Sequence, residues 1–177
     1  MKMYEPKCRI PTIKEYEGIV RRLKELSIRR PVIEHVFPLT VCITGCRISE
    51  CLLLSTTDID ENNLVVYMPT LKHRSIHKRT IPIPGWYIAI LHQYIIMNGI
   101  GDKLFNISRT QGWRYVKRIT GYNPHAFRHA LGMYMLFKGY DPETVRRILG
   151  HGSWRLVSYY VSRVGIDISK RTPLEYI

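Results

Sequence analysis

Apolar residues recur at helical spacing through Ile13, Tyr16, Ile19, Val20, Leu23 and Leu26, with Lys, Glu and Arg filling the positions between. This periodicity predicts an amphipathic helix opening after Pro11-Thr12, where a threonine can cap the free amides of the first turn. Beyond Arg29-Arg30-Pro31, the stretch from Val32 to Ile43 is apolar almost throughout, the pattern of a buried helix that stops near Thr44-Gly45. A short helix is expected from Glu50 to Leu54. The pattern then changes. Leu64-Val65-Val66-Tyr67-Met68 and Thr80-Ile81-Pro82-Ile83 have the composition of strands, joined by a turn carrying Lys72, His73, Arg74, His77, Lys78 and Arg79. Helical spacing returns from Trp86 to Met97, Thr110 to Thr120, Pro124 to Phe137, Pro142 to Leu149 and Trp154 to Val164, with glycines between. The expected fold class is mostly α with a small antiparallel β-sheet, an α+β arrangement in one domain spanning residues 1–177. The last stretch, Ile168 to Ile177, ends in Pro173-Leu174-Glu175-Tyr176-Ile177, apolar enough to dock on its own domain or on a neighbouring copy.

A chain of 177 residues, 45% of them hydrophobic, is long enough to bury a core of its own. Charge narrows the class of partner. Lys and Arg number 27 against 14 Asp and Glu, a formal charge of +13, and such an excess suits a polyanion whose phosphates release condensed counterions when neutralised. Of the four cysteines, Cys42, Cys46 and Cys51 crowd into one apolar stretch, which fits small buried hydrophobes in a reducing cytoplasm better than a disulfide scaffold. They lack the spacing of a metal site, and Asp58, Asp60 and Glu61 cluster without carboxylate partners elsewhere, so chemistry without metal or cofactor is expected. No apolar run approaches the ~18 residues of a membrane span. A cytoplasmic protein without membrane association is expected.

The residues suited to chemistry come in a definite order. Arg47 follows the Thr44-Gly45 break and precedes a helix, a place from which a guanidinium can grip two phosphate oxygens. His125 and Arg128 are three apart on one helix face and can address one anion together, whereas the adjacent His129 points to a structural role. His151 follows Leu149-Gly150 at a helix end, where a glycine lets the chain turn. Lys72 sits on the basic hairpin, from which an ammonium can reach a leaving oxygen as a general acid. Tyr160 is the candidate nucleophile. A phenol with a reference pKa near ~10 needs a cationic pocket to stabilise its anion, and Arg47, Arg128, His125 and His151 would supply one.

Arg47, Lys72, His125-x-x-Arg128, His151 and Tyr160, set in TGCRISE, HAFRH and LGHGSW, resemble the tyrosine recombinase (phage-type integrase) family over roughly residues 12–163. The resemblance implies the catalytic fold of DNA breaking-rejoining enzymes and site-specific recombination or integration of double-stranded DNA through a transient 3′-phosphotyrosyl link. It implies that Arg47 and Arg128 hold the scissile phosphate and that Tyr160 attacks. Lys72 would protonate the leaving 5′-oxygen, His125 would take or return the tyrosine proton, and His151 would donate to a phosphate oxygen. Glu50 resembles the acidic residue that supports the first arginine.

The resemblance further implies a homotetramer assembled on DNA, C-terminal residues 164–177 exchanged between copies, and a virus, plasmid or other mobile element as the setting. Arg74, Lys78 and Arg79 are the expected DNA contacts of the hairpin, and Arg74 and Lys78 stand as alternatives for the lysine role. Tyr159 adjoins Tyr160; the resemblance favours the latter, because nucleophiles of the family fall nine residues after the position that His151 holds here. The N-terminal helical domain that clasps the far side of DNA in most members is expected to be absent. A relaxing activity like that of type IB topoisomerases, or a DNA-binding regulator whose chemistry has lapsed, are the alternative readings.

Overall fold

The computed structural model describes residues 8–72 and 75–164. Helix α1, Ile13–Arg29, starts as its sequence suggests. The Thr12 hydroxyl accepts the Glu15 amide at 3.2 Å while the Glu15 carboxylate accepts the Thr12 amide at 2.8 Å, satisfying two otherwise orphaned donors. Helix α2, Ile33–Thr44, is the central rod: Val36, Phe37, Leu39, Val41 and Cys42 are fully buried. It stops at Gly45, whose φ of +59° is left-handed and suits glycine. Helix α3 is a single turn, Ile48–Cys51, starting two residues before the expected Glu50.

Three strands follow: β1, Ile59–Asp60; β2, Val65–Lys72; and β3, Ser75–Pro82, in antiparallel order β1-β2-β3. Here the structure corrects the expected hairpin. The cationic run is mostly strand, not turn: Met68 pairs with Arg79, Pro69 with Lys78, and the ladder continues to Lys72 opposite Ser75. An antiparallel ribbon tolerates charge on a solvated face, so backbone pairing persists where composition alone suggests a loop. The short β1 is set by its pairing with Val65 and Val66.

The rest is helical: α4, Gly85–Asn98; α5, Arg109–Thr120; α6, Pro124–Phe137; α7, Pro142–Leu149; and α8, Arg155–Val164. Helix α6 is the second buried rod, packed on α2 to one side and on α7 and α8 to the other. Phe127, Ala130, Leu131 and Leu136 join it to the common core. Because α2, α6 and α7 end or pass close to one another, residues distant in sequence meet at the corner after each. Cys42, Cys46 and Cys51 are buried. Among the described residues no helix is long and apolar enough to cross a membrane, and no group of three His, Cys, Asp or Glu is placed to hold a metal ion.

Candidate active site

Arg128 sits at the centre of the corner. It projects from the buried side of α6, 2% exposed, and donates from Nη1 to the carbonyl of Gly45 at 2.9 Å and from Nη2 to the carbonyl of Leu149. Both carbonyls lie at the C-terminal ends of helices, where unpaired acceptors and the helix dipole favour a cation. Gly45 leads into Arg47 and Leu149 into His151, so this one guanidinium ties together the two segments that carry them.

Arg47 stands just before α3 and is the open member, with 39% of its side chain exposed. Glu50, wholly buried, accepts from the Arg47 backbone amide at 3.0 Å and from its guanidinium at 2.7 Å. The second partner of Glu50 is Arg79, at 2.9 Å. Burial alone would raise the Glu50 pKa, but hydrogen bonding and charge from Arg79, then from Arg47, hold it below the ordinary carboxylate value. Arg79, expected among the DNA contacts, turns inward instead. Its Nε donates to the Ile148 carbonyl at 3.0 Å and Nη1 to the Thr70 hydroxyl at 2.9 Å, with only 10% of the side chain exposed. A buried carboxylate needs more than one cation, and the β3 alternation delivers this arginine to it.

Tyr160 is fully buried on α8, facing the same corner. Two imidazoles reach its hydroxyl: His129 through Nδ1 at 3.0 Å and His151 through Nε2 at 3.3 Å. Gly132 makes this approach feasible, because a Cβ there would lie 2.5 Å from the tyrosine ring. Tyr159 faces elsewhere, lining a groove with Ile10, Phe137 and Arg163. His125 is exposed at the start of α6 with its ring 6.0 Å from that of His129. It borders an open cleft of about 300 Å³ shared with Arg47, Arg109, Trp113 and Asn123.

The electrostatics are those of a buried cationic pocket. Burial, then Arg128, pushes His151 down to about 3, with smaller contributions from His129, Arg47 and Arg79. Burial, then His125 and Arg128, lowers His129 to about 4. Burial and the charges of Arg128 and Arg47 lower His125 as well. Arg128 falls to about 10, through burial and the proximity of Arg47 and Arg79, and so stays charged at neutral pH. All three histidines are therefore neutral there, each able to accept a proton on one ring nitrogen.

The structure thus brings together Arg47, His125, Arg128, His151 and Tyr160. Lys72 ends β2 with its backbone paired to Ser75. Lys78 is half exposed and bound to Asp58 at 2.5 Å. Arg74 and residues 165–177, which make up all but the first residue of the 164–177 segment expected to exchange between copies, lie outside the described residues. Sequence reasoning gives two residues other parts: His129, which follows His125 by four on the same helix, is assigned a structural role, and Arg79 is assigned to DNA with no signal linking it to Glu50.

A sequence profile of the phage integrase family matches residues 12–164. Tyrosine recombinase XerC of Roseiflexus castenholzii is 28% identical over 171 residues, covering 80% of this chain and 52% of its own length. Tyrosine recombinase XerA of Saccharolobus solfataricus is 28% identical over 131 residues, covering 71% of this chain and 44% of its own. The chain spans about half the length of these curated relatives. Among solved structures, the XerH site-specific recombinase bound to palindromic difH substrate in a post-cleavage complex matches with a TM-score of 0.73 at 19% identity, over 88% of this chain and 50% of that one. The XerA recombinase crystal structure matches at 0.66 and 17% identity, over 95% and 63%. The structural likeness carries the fold, and the profile, which takes in every segment contributing to the pocket, carries the lineage: this chain belongs to the phage integrase family.

Proposed function

We propose that this chain is the catalytic domain of a site-specific DNA recombinase that breaks and rejoins strands through a covalent 3′-phosphotyrosyl intermediate. The observation that carries this reading is the Tyr160 hydroxyl, held by two imidazoles beside a buried arginine. In this reading Arg47 and Arg128 grip the non-bridging oxygens of the scissile phosphate. Tyr160 attacks phosphorus and His151 donates a hydrogen bond to the developing negative charge. His125 faces the phosphate from the cleft, and Lys72 protonates the departing 5′-oxygen. Lys78 and Arg74 meet the DNA backbone. Tyr160 is preferred to Tyr159 because it shares the pocket with Arg128 and His151, whereas Tyr159 lines a separate groove. Since Tyr160 is wholly buried, α8 has to shift when DNA enters.

The partner in this reading is double-stranded DNA, for which the charge of +13 is apt. Several copies assemble on it as a tetramer, in a setting of mobile or viral DNA. A nicked suicide substrate tests the chemistry. Labelled DNA should remain on the protein through boiling in detergent, Tyr160→Phe should abolish the adduct, and Tyr159→Phe should leave it. Adduct formation by Tyr160→Phe but not by Tyr159→Phe moves the nucleophile, and no adduct from the unsubstituted chain rejects the covalent mechanism.

A further inference from the structure

His151 stands between a fixed element and a moving one. It follows α7, whose last two carbonyls are tied to the pocket: Ile148 accepts from Arg79 and Leu149 from Arg128. Downstream lies α8, which has to shift before a phosphate can meet Tyr160. The ties from Arg79 and Arg128 stop short of His151, before Gly150 in its left-handed conformation. Arg146 covers the gap. Its backbone carbonyl accepts the His151 amide at 3.0 Å, as expected of a left-handed helix cap, and its Nη1 donates to the His151 carbonyl at 3.2 Å. One residue thus holds the His151 backbone from both sides. The guanidinium is itself fixed, because Nε and Nη2 form a fork on Glu143 at 2.7 and 2.8 Å. The Trp154 ring lies over it, with its centroid 5.6 Å from Cζ. Apart from the Trp154 ring, these contacts lie within α7 and its cap, so they do not depend on where α8 stands.

We infer that Arg146 is a positioning residue, which keeps His151 in the phosphate pocket while α8 moves. This rests on the recombinase reading proposed above, in which His151 donates to the developing negative charge. A hydrogen-bond donor to such a charge works only where it is already in place, and a misplacement of about 1 Å can cost on the order of 100-fold in rate. His151 is 7% exposed and Trp154 is 52% exposed, so the chain passes from pocket to surface within three residues. The exposed Gly152-Ser153 pair between them takes up the movement of α8, and the turn upstream stays with α7. All three guanidinium nitrogens of Arg146 have acceptors in the protein, two on a carboxylate that also binds Arg147 at 2.8 Å. Such a guanidinium is arranged to brace the turn and not to grip a phosphate.

The test uses the full chain with the nicked suicide substrate at saturating DNA. Arg146→Met keeps the aliphatic stem and removes every side-chain donor, at a position where 29% of the side chain is exposed. We expect adduct formation roughly 10- to 30-fold slower, part of the about 100-fold that outright loss of such a donor costs, with the DNA concentration at half-maximal rate unchanged. In a His151→Ala background, adding Arg146→Met should slow the reaction by less than about twofold, because the side chain it positions is gone. Equal slowing in both backgrounds, or a wild-type rate in Arg146→Met, overturns the inference. So does weaker DNA binding with a salt slope reduced by about 0.9, which would make Arg146 a phosphate contact. Amide hydrogen exchange needs no change at Arg146: on the non-cleaving Tyr160→Phe chain, DNA binding should speed exchange in α8 while the His151 amide stays protected. A His151 amide that opens along with α8 overturns the inference. Failure of the unsubstituted chain to form any adduct refutes the proposed function itself and is distinct from these outcomes.

Discussion

Arg128 on α6 donates to the backbone carbonyl of Gly45, 83 residues earlier in the chain, at 2.9 Å. Its other bond goes to Leu149, and together they hold the ends of α2 and α7 in one corner. The guanidinium thus supports the structure and lends its charge to the pocket. Arg128→Ala should lower stability by about 3 kcal/mol, since two buried carbonyls lose a charged donor. Arg128→Lys, with a single ammonium where a fork is needed, should recover less than half of that. Chemical denaturation of the three proteins checks the order.

Gly132 lies under the Tyr160 ring. Alanine in a helix ordinarily gains roughly 0.5–1 kcal/mol over glycine, but here a Cβ would meet ring carbons at 2.5 and 2.8 Å and Leu149 at 3.0 Å. Gly132→Ala should instead destabilise by about 1–3 kcal/mol and displace the tyrosine from His129. Thermal unfolding gives the sign, and a gain in stability would show that α8 gives way without cost.

Acid should weaken the fold in two stages. His129 and His151 have folded pKa values lowered to about 4 and about 3, so the stability they contribute is fully present above the unfolded histidine value of roughly 6.5. It is lost as pH falls from there through the folded values. Glu50, also lowered, contributes above the unfolded carboxylate value and loses its share as pH drops further. Glu50→Gln should cost about 3 kcal/mol at neutral pH, by leaving Arg47 and Arg79 without their buried partner, and should flatten the lower stage only. Unfolding midpoints between pH 7 and 3 separate the stages.

Lys78 is a surface cation whose partner is Asp58. Lys78→Ala should change stability by no more than ~1 kcal/mol while reducing the slope of log K against log salt for DNA binding by about 0.9, one phosphate contact. An unchanged slope would remove this lysine from the DNA interface.

Helices are legible in this chain wherever apolar spacing is strict, as in α1 and α7, because a helix face is defined by residues three and four apart. Strand limits are less so: β2 and β3 extend through Pro69 to Lys72 and Ser75 to Arg79 because each backbone group finds its partner across the ribbon. The candidate site divides in the same way. His125 and Arg128 belong to one helix turn and can be paired by counting, whereas Tyr160 is singled out from Tyr159 only through the family resemblance. Arg79 resists such reading, since its three acceptors come from β2, α3 and α7.

By itself the sequence determined a basic, mostly helical domain of the integrase lineage and the order of its candidate site residues, because spacing and charge are local properties of a chain. Only the tertiary structure decided that Arg128 closes on Gly45 and Leu149, that Arg79 turns inward to Glu50, and that His129 rather than His125 meets the Tyr160 hydroxyl. Those outcomes depend on which buried donors and acceptors remain to be paired once α2, α6, α7 and α8 have packed, and no local pattern records that.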